Sequence, residues 1–203
     1  MGMREDLRQF LIRQFGFFEG KDFDSRPQAT EAILTFLSWV VPTIVFVYWS
    51  NTFYPTTEVL SKTVIEAFSP NLWNTFGVIG MFLSGVAIAF STIPAFPRIA
   101  NRVLHNAFSM GCLMWGVLVG RLILLPFEEL EWWQQGIYGF TFAYFLIIAL
   151  LYNTFLWYLG SLMQNKDGGT SNFIAKVRTK SGAWRAILGF LICSISFIAL
   201  ILS

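Results

Sequence analysis

Few side chains in this sequence are equipped for chemistry, and their neighbours decide what each can do. The one histidine, His105, has Arg102 and Asn106 beside it and no carboxylate close in sequence. General acid–base catalysis needs an imidazole or carboxylate held by a second group, so His105 reads as an interfacial structural residue. Cys112 and Cys193 lie inside apolar runs, in no CxxC pair and near no histidine cluster. That setting points to apolar packing rather than to metal binding or redox work. Paired histidines for haem, paired aspartates within an apolar run and a serine matched with a histidine are all missing. The expectation is a protein that is not an enzyme and that carries no metal and no cofactor.

Charge inside apolar sequence is the next signal. Arg121 follows Gly120 one to two turns before an apolar run ends, where a cation is costly unless it snorkels or finds a partner. Glu128, Glu129 and Glu131 come just after Pro126, in a tight turn closed by Trp132 and Trp133. One reading pairs Arg121 with a carboxylate of this turn and uses the two Trp as interface anchors. The other sets the carboxylates around the vestibule of an oligomeric pore, with Arg121 gating or neutralising the ring. No Asp or Glu falls well inside an apolar run, which disfavours a carrier coupled to protons or sodium through a buried carboxylate.

Small residues four apart supply a packing signal. Gly116 and Gly120 form a GxxxG, and Gly80 with Ser84 and Gly85 with Ala89 repeat the spacing in the preceding run. Such pairs make a groove in which helix backbones approach closely. Two uses are open: packing within one subunit, or contact between copies of a homo-oligomer. Asn153, with Tyr144, Tyr152 and Thr154, is the polar part of a later run and requires an inter-helix hydrogen bond if lipid surrounds it. Ser91 and Thr92, ahead of Pro94, ease a kink.

The elements that must hold these residues follow from composition. Of 203 residues, 55% are hydrophobic and 13% charged, against about 25% charged in a soluble domain. That surplus of apolar surface calls for a lipid bilayer as its partner. Apolar runs cover about 32–49, 73–96, 107–125, 136–163 and 184–203, each near the roughly 20 residues that cross about 30 Å of hydrocarbon. The fold class expected is an all-α integral membrane protein with about five transmembrane helices in a single domain, 1–203. Residues 3–18 place Leu7, Phe10, Leu11, Phe15 and Phe18 on one side of a helix opposite Arg8 and Arg13, the pattern of an amphipathic helix lying at a membrane surface. The connection 51–72 has Glu58, Lys62 and Glu66 at four-residue spacing opposite Leu60, Val64 and Phe68, which predicts a short surface helix. No apolar leader follows Met1, so the first run is expected to act as its own insertion signal.

Orientation rests on Lys and Arg. Twelve of the fourteen fall on one side of a five-crossing model, and Lys62 and Arg121 on the other. That puts the N-terminus in the cytoplasm and the C-terminus outside, in a bacterial inner membrane. Arg8, Arg13, Lys176, Arg178 and Lys180 are then candidates for contact with anionic lipid or a cytosolic partner. A net charge of +2 without a basic, aromatic-interleaved stripe argues against nucleic acid. Two functions fit: a homo-oligomeric subunit acting as a channel, a pore or a membrane-perturbing component, or a non-conducting anchor or sensor that recruits a cytosolic partner, as membrane subunits do in bacterial defence, immunity and exclusion systems.

Overall fold

A computed structural model describes residues 26–53, 70–124, 129–164 and 169–202, with side chains described over 30–53, 72–124, 129–164 and 169–198. The expected helices over 3–18 and within 51–72, including Arg8 and Arg13, lie outside those residues, as does Glu128. Within them the fold is all-helical. The helices are α1 (Arg26–Phe53), α2 (Pro70–Ala89), α3 (Ala95–Ile123), α4 (Trp132–Met163), α5 (Asn172–Arg178) and α6 (Gly182–Leu202). Four of them, α1 to α4, are long and apolar enough to cross a membrane.

Helix α3 is the axis of the assembly. Ala100, Leu104, Ala107, Phe108, Gly111, Cys112, Val117 and Gly120 are all buried along it, and their spacing of three and four covers more than one face. Helix α1 runs parallel to its far half: Phe36 stacks edge-on against Trp115 at 5.2 Å, while Thr43 and Val47 lie over Gly116 and Gly120. Helix α2 runs antiparallel to the near half, with Leu104 over Gly80 and Trp73 over Gly111. Helix α4 is also antiparallel, setting Trp157 beside His105 and Phe108 and Trp115 Nε1 against the Leu146 carbonyl at 3.1 Å. Helix α6 leans on α2 rather than on α3.

The helix boundaries differ from the apolar runs. The second run was expected to reach 96 and the third to begin at 107. Instead the chain turns at Phe90–Pro94 and α3 starts at Ala95. Pro94 occupies the N-cap and Pro97 the first turn, where a missing N–H costs nothing because that donor has no intrahelical acceptor. Apolar sequence thus continues through a tight reversal, and hydropathy alone does not see it. Arg98, Arg102 and His105, expected in a connection, are consequently on the first three turns of α3.

Backbones come closest between α2 and α6. A Cβ placed on Gly85 would lie 2.7 Å from the Gly189 carbonyl oxygen, and one on Gly189 would lie 2.6 Å from the Gly85 carbonyl oxygen and 2.7 Å from Ala89 Cβ. Real Cβ contacts do not reach such distances, so the crossing requires glycine. Gly189→Ala is expected to lower stability by about 1–3 kcal/mol. Gly139→Ala, at a position open on all sides, is expected to be neutral or to add about 0.5–1 kcal/mol by restricting the unfolded chain. Unfolding midpoints of the two variants in detergent check the contrast, and equal effects would contradict the crossing.

Candidate functional site

The antiparallel arrangement gathers five chain segments at one end of the molecule: the start of α1, the α2–α3 turn, the end of α4, all of α5 and the start of α6. Of the seven Lys and Arg side chains described, six lie there (Arg98, Arg102, Lys176, Arg178, Lys180 and Arg185), and only Arg121 lies at the other end. Glu129 and Glu131 share that other end.

The basic end is held by Ser91 in the α2–α3 turn. Arg178 Nε donates to the Ser91 carbonyl at 2.5 Å, and Arg185 donates from a terminal nitrogen to Ser91 Oγ at 3.2 Å. Ser91 is fully buried, so both guanidinium groups reach inward across the turn. Ser171 caps α5 by accepting from the Ile174 N–H at 3.1 Å and donates to the Leu162 carbonyl at 2.5 Å, tying α5 to the end of α4. Phe173, Ile174 and Val177 then bury the other face of α5 in the core that contains Ala100, Leu104 and Met163. Asn101 Nδ2 donates to the Gly160 carbonyl at 2.8 Å, locking α3 to α4 at the same level.

Between these elements lies a cavity of about 130 Å³, lined by Pro94, Pro97 and Arg98 of the α3 start, Met163 and Gln164 of the α4 end, Gly169 and Thr170, and Arg178. Gln164 and Thr170 pair as an antiparallel bridge. Arg98 is exposed and forms no hydrogen bond or ion pair among the described residues. The terminal nitrogens of Arg178 are likewise unused by any described group.

A second polar region runs through the interior. Asn153 is buried and donates from Nδ2 to Cys112 Sγ at 3.3 Å. Asn153 Oδ1 and Trp73 Nε1 both crowd Gly111, Tyr152 Oη lies over Gly77 and His105 over Gly160. Those atoms of Trp73, Tyr152 and Asn153, with Nε2 of His105 and Nε1 of Trp157, are buried without a hydrogen-bond partner. The seam sets helix register, with Trp73, Asn153, Tyr152 and His105 filling the spaces that Gly111, Gly77 and Gly160 leave on the facing helices. Among the described residues no three His, Cys, Asp or Glu side chains come together.

The small residues expected at packing grooves all meet other helices of the same chain. Gly116 and Gly120 receive α1, Gly80 receives Leu104 of α3, and Gly85 and Ala89 receive α6. Ser84 is buried and donates to the Gly80 carbonyl at 2.9 Å. These faces are therefore covered within one subunit. Arg121 is exposed in the last turn of α3 and pairs with neither Glu129 nor Glu131. Glu131 instead forms the capping box of α4 with Gln134 and accepts from Trp133 Nε1, while Glu129 is exposed. At the basic end, Lys176 and Arg178 are half-buried and Lys180 is exposed. Sequence reasoning missed Ser91 as a junction, Arg98 as a cavity residue, and Gly160 and Gly189 as contact points. Gly189, Cys193 and Ser196 do carry a readable signal, a small-residue stripe at spacings of four and three.

The chain matches no protein-family model, no curated protein and no solved structure, so its site is read from its own geometry. Ser91→Ala is expected to cost about 1 kcal/mol through the lost Arg185 bond. Ser91→Gly should cost more, because it also loosens the turn that presents the carbonyl to Arg178. Thermal unfolding of both variants tests the junction, and a Ser91→Ala protein as stable as the parent would remove it.

Proposed function

We propose that the protein is an integral membrane protein of a bacterial inner membrane that crosses the bilayer five times, with its basic end in the cytoplasm. Three features support this reading. Four helices have the length and apolarity to span. Large apolar side chains face outward along them, among them Ile33, Leu37, Val41 and Val45 on α1 and Phe140, Ile147, Leu151 and Phe155 on α4. Helix α6, at 21 residues, has the about 30 Å of rise that a fifth crossing needs.

Within that class, the protein acts as a non-catalytic membrane anchor or sensor that offers its cytoplasmic end to anionic lipid or a soluble partner. The observation that carries this role is the gathering of Arg98, Arg102, Lys176, Arg178, Lys180 and Arg185 at one end, with Glu129 and Glu131 at the other. A basic cytoplasmic face is drawn to the negative inner leaflet and to acidic protein surfaces. The exposed Arg121, at the same end as Glu129 and unpaired among the described residues, favours a second reading, a homo-oligomeric pore. Copies would then meet through the outward faces of α1 and α4, since the glycine grooves are filled from within.

Three measurements separate these readings. The protein should stay in the membrane after alkaline carbonate washing. In a background lacking Cys112 and Cys193, cysteines at Lys180 and Glu129 should react with a membrane-impermeant maleimide from opposite sides; labelling of both from one side would end the five-crossing model. For the pore, neutralising Glu128 and Glu129 together should change conductance or ion preference in planar bilayers, and a monomeric, non-conducting protein leaves the anchor role standing.

A further inference from the structure

The cavity at the basic end is built for one kind of ligand. Its lining includes two arginines, Arg98 and Arg178, and, among the described residues, no carboxylate. Glu31, the one described carboxylate in this half of the molecule, is on α1 and does not line it. Arg178 is clamped through Nε to the Ser91 carbonyl, which fixes the plane of its guanidinium and leaves both terminal nitrogens to donate elsewhere. Arg98 projects from the first turn of α3.

Two cations held beside one small space repel each other, a cost that an anion between them reverses. Fork-shaped guanidinium donors match the paired oxygens of carboxylates and phosphates alike, so size and position select between them. The volume of about 130 Å³ equals roughly four waters at about 30 Å³ each, enough for a phosphate group and too little for a peptide. Gln164 and Thr170 on the same wall bring neutral polar groups to the site.

We propose that this cavity binds a phosphate group, with Arg98 and Arg178 as the two guanidinium ligands, presented by an anionic phospholipid headgroup or by free phosphate. The position at the helix ends suits the headgroup layer, where basic pockets between helices take lipid phosphates. The site deepens the anchor reading and rests on it, since the headgroup source requires the basic end to face a leaflet. Ligand entry would brace α3, α4 and α5 against one another, so occupancy should be read as stability of the whole bundle.

The test uses the full chain in detergent, with thermal unfolding followed against added phosphatidylglycerol, phosphatidylcholine or inorganic phosphate at constant ionic strength. Three proteins are compared: the parent, Arg98→Gln and Arg121→Gln, the last an exposed arginine at the opposite end of the molecule. Arg98 makes no bond among the described residues, so its variant should fold, whereas Arg178→Gln also loses the Ser91 tie. The parent and Arg121→Gln should be stabilised by phosphatidylglycerol over phosphatidylcholine, with Arg98→Gln needing about tenfold more lipid, as expected for loss of one charge-assisted contact. An effect of phosphatidylglycerol alone assigns the headgroup, and an equal effect of inorganic phosphate assigns the free anion. If Arg98→Gln responds to both probes as the parent does, or if Arg121→Gln loses as much as Arg98→Gln, the pocket is overturned. Release of the parent by carbonate would defeat the membrane reading instead, so the two failures are told apart.

Discussion

When two helices cross with their backbones nearly touching, no side chain fits between them, and dispersion between the two chains takes over the work of holding them. Helix α2 meets this condition through Gly85 against Gly189 of α6, and α3 comes near it at Gly116 and Gly120, where only the short side chains of Thr43 and Val47 of α1 fit. Each crossing fixes the height of its partner along the bundle, because a shift of one residue would drive a side chain into a backbone. The order of the helices follows from those contacts: α1 on the far half of α3, α2 and the end of α4 on its near half, and α6 outside α2.

This arrangement concentrates packing at the near half of the molecule and leaves the far half open. The core of Ala87, Ile88, Ala100, Leu104, Leu156, Met163 and Ile174 belongs to the near half, while most side chains of α4 between Trp132 and Leu151 are exposed. In water such a surface would drive aggregation. In lipid the same surface carries no penalty, since hydrocarbon tails solvate it as well as another helix would. The apolar exposure and the tight polar junction at Ser91 thus belong to one bundle, with an apolar belt and a charged end.

Much of the fold was legible because its signals are local. Lengths and apolarity located α1 to α4 and α6, and the four-residue spacing of Gly80, Ser84, Gly85, Ala89, Gly116 and Gly120 marked positions where helices meet. Which helix would fill each groove was not legible, since a small-residue stripe is equally suited to a neighbour in the same chain or in another copy. The α2–α3 reversal was hidden for a different reason: Phe90, Ile93 and Phe96 keep the sequence apolar through the turn, and the prolines that make it read as a kink. His105 shows the same limit. Its neighbours in sequence suggested an exposed or interfacial structural residue in a connection, whereas its ring lies 4.5 Å from that of Trp157, a contact from a distant helix that sequence proximity cannot reveal.

The basic cavity was the least legible feature, although the notable charges around it were visible from the start. Arg178 and Arg98 lie far apart in sequence, and they come together only because the turn at Pro94 places the start of α3 beside α5. Ser91 makes that meeting durable. Its carbonyl is freed from helical bonding where α2 gives way to the turn, so it can accept from Arg178, and its hydroxyl remains for Arg185. A helix continuing through this point would have consumed the carbonyl internally and carried Arg98 away from the α4 end. The same reversal that shortens α2 below its apolar run therefore creates the acceptor that holds one guanidinium and positions the other, which makes the turn the origin of the positive end's shape.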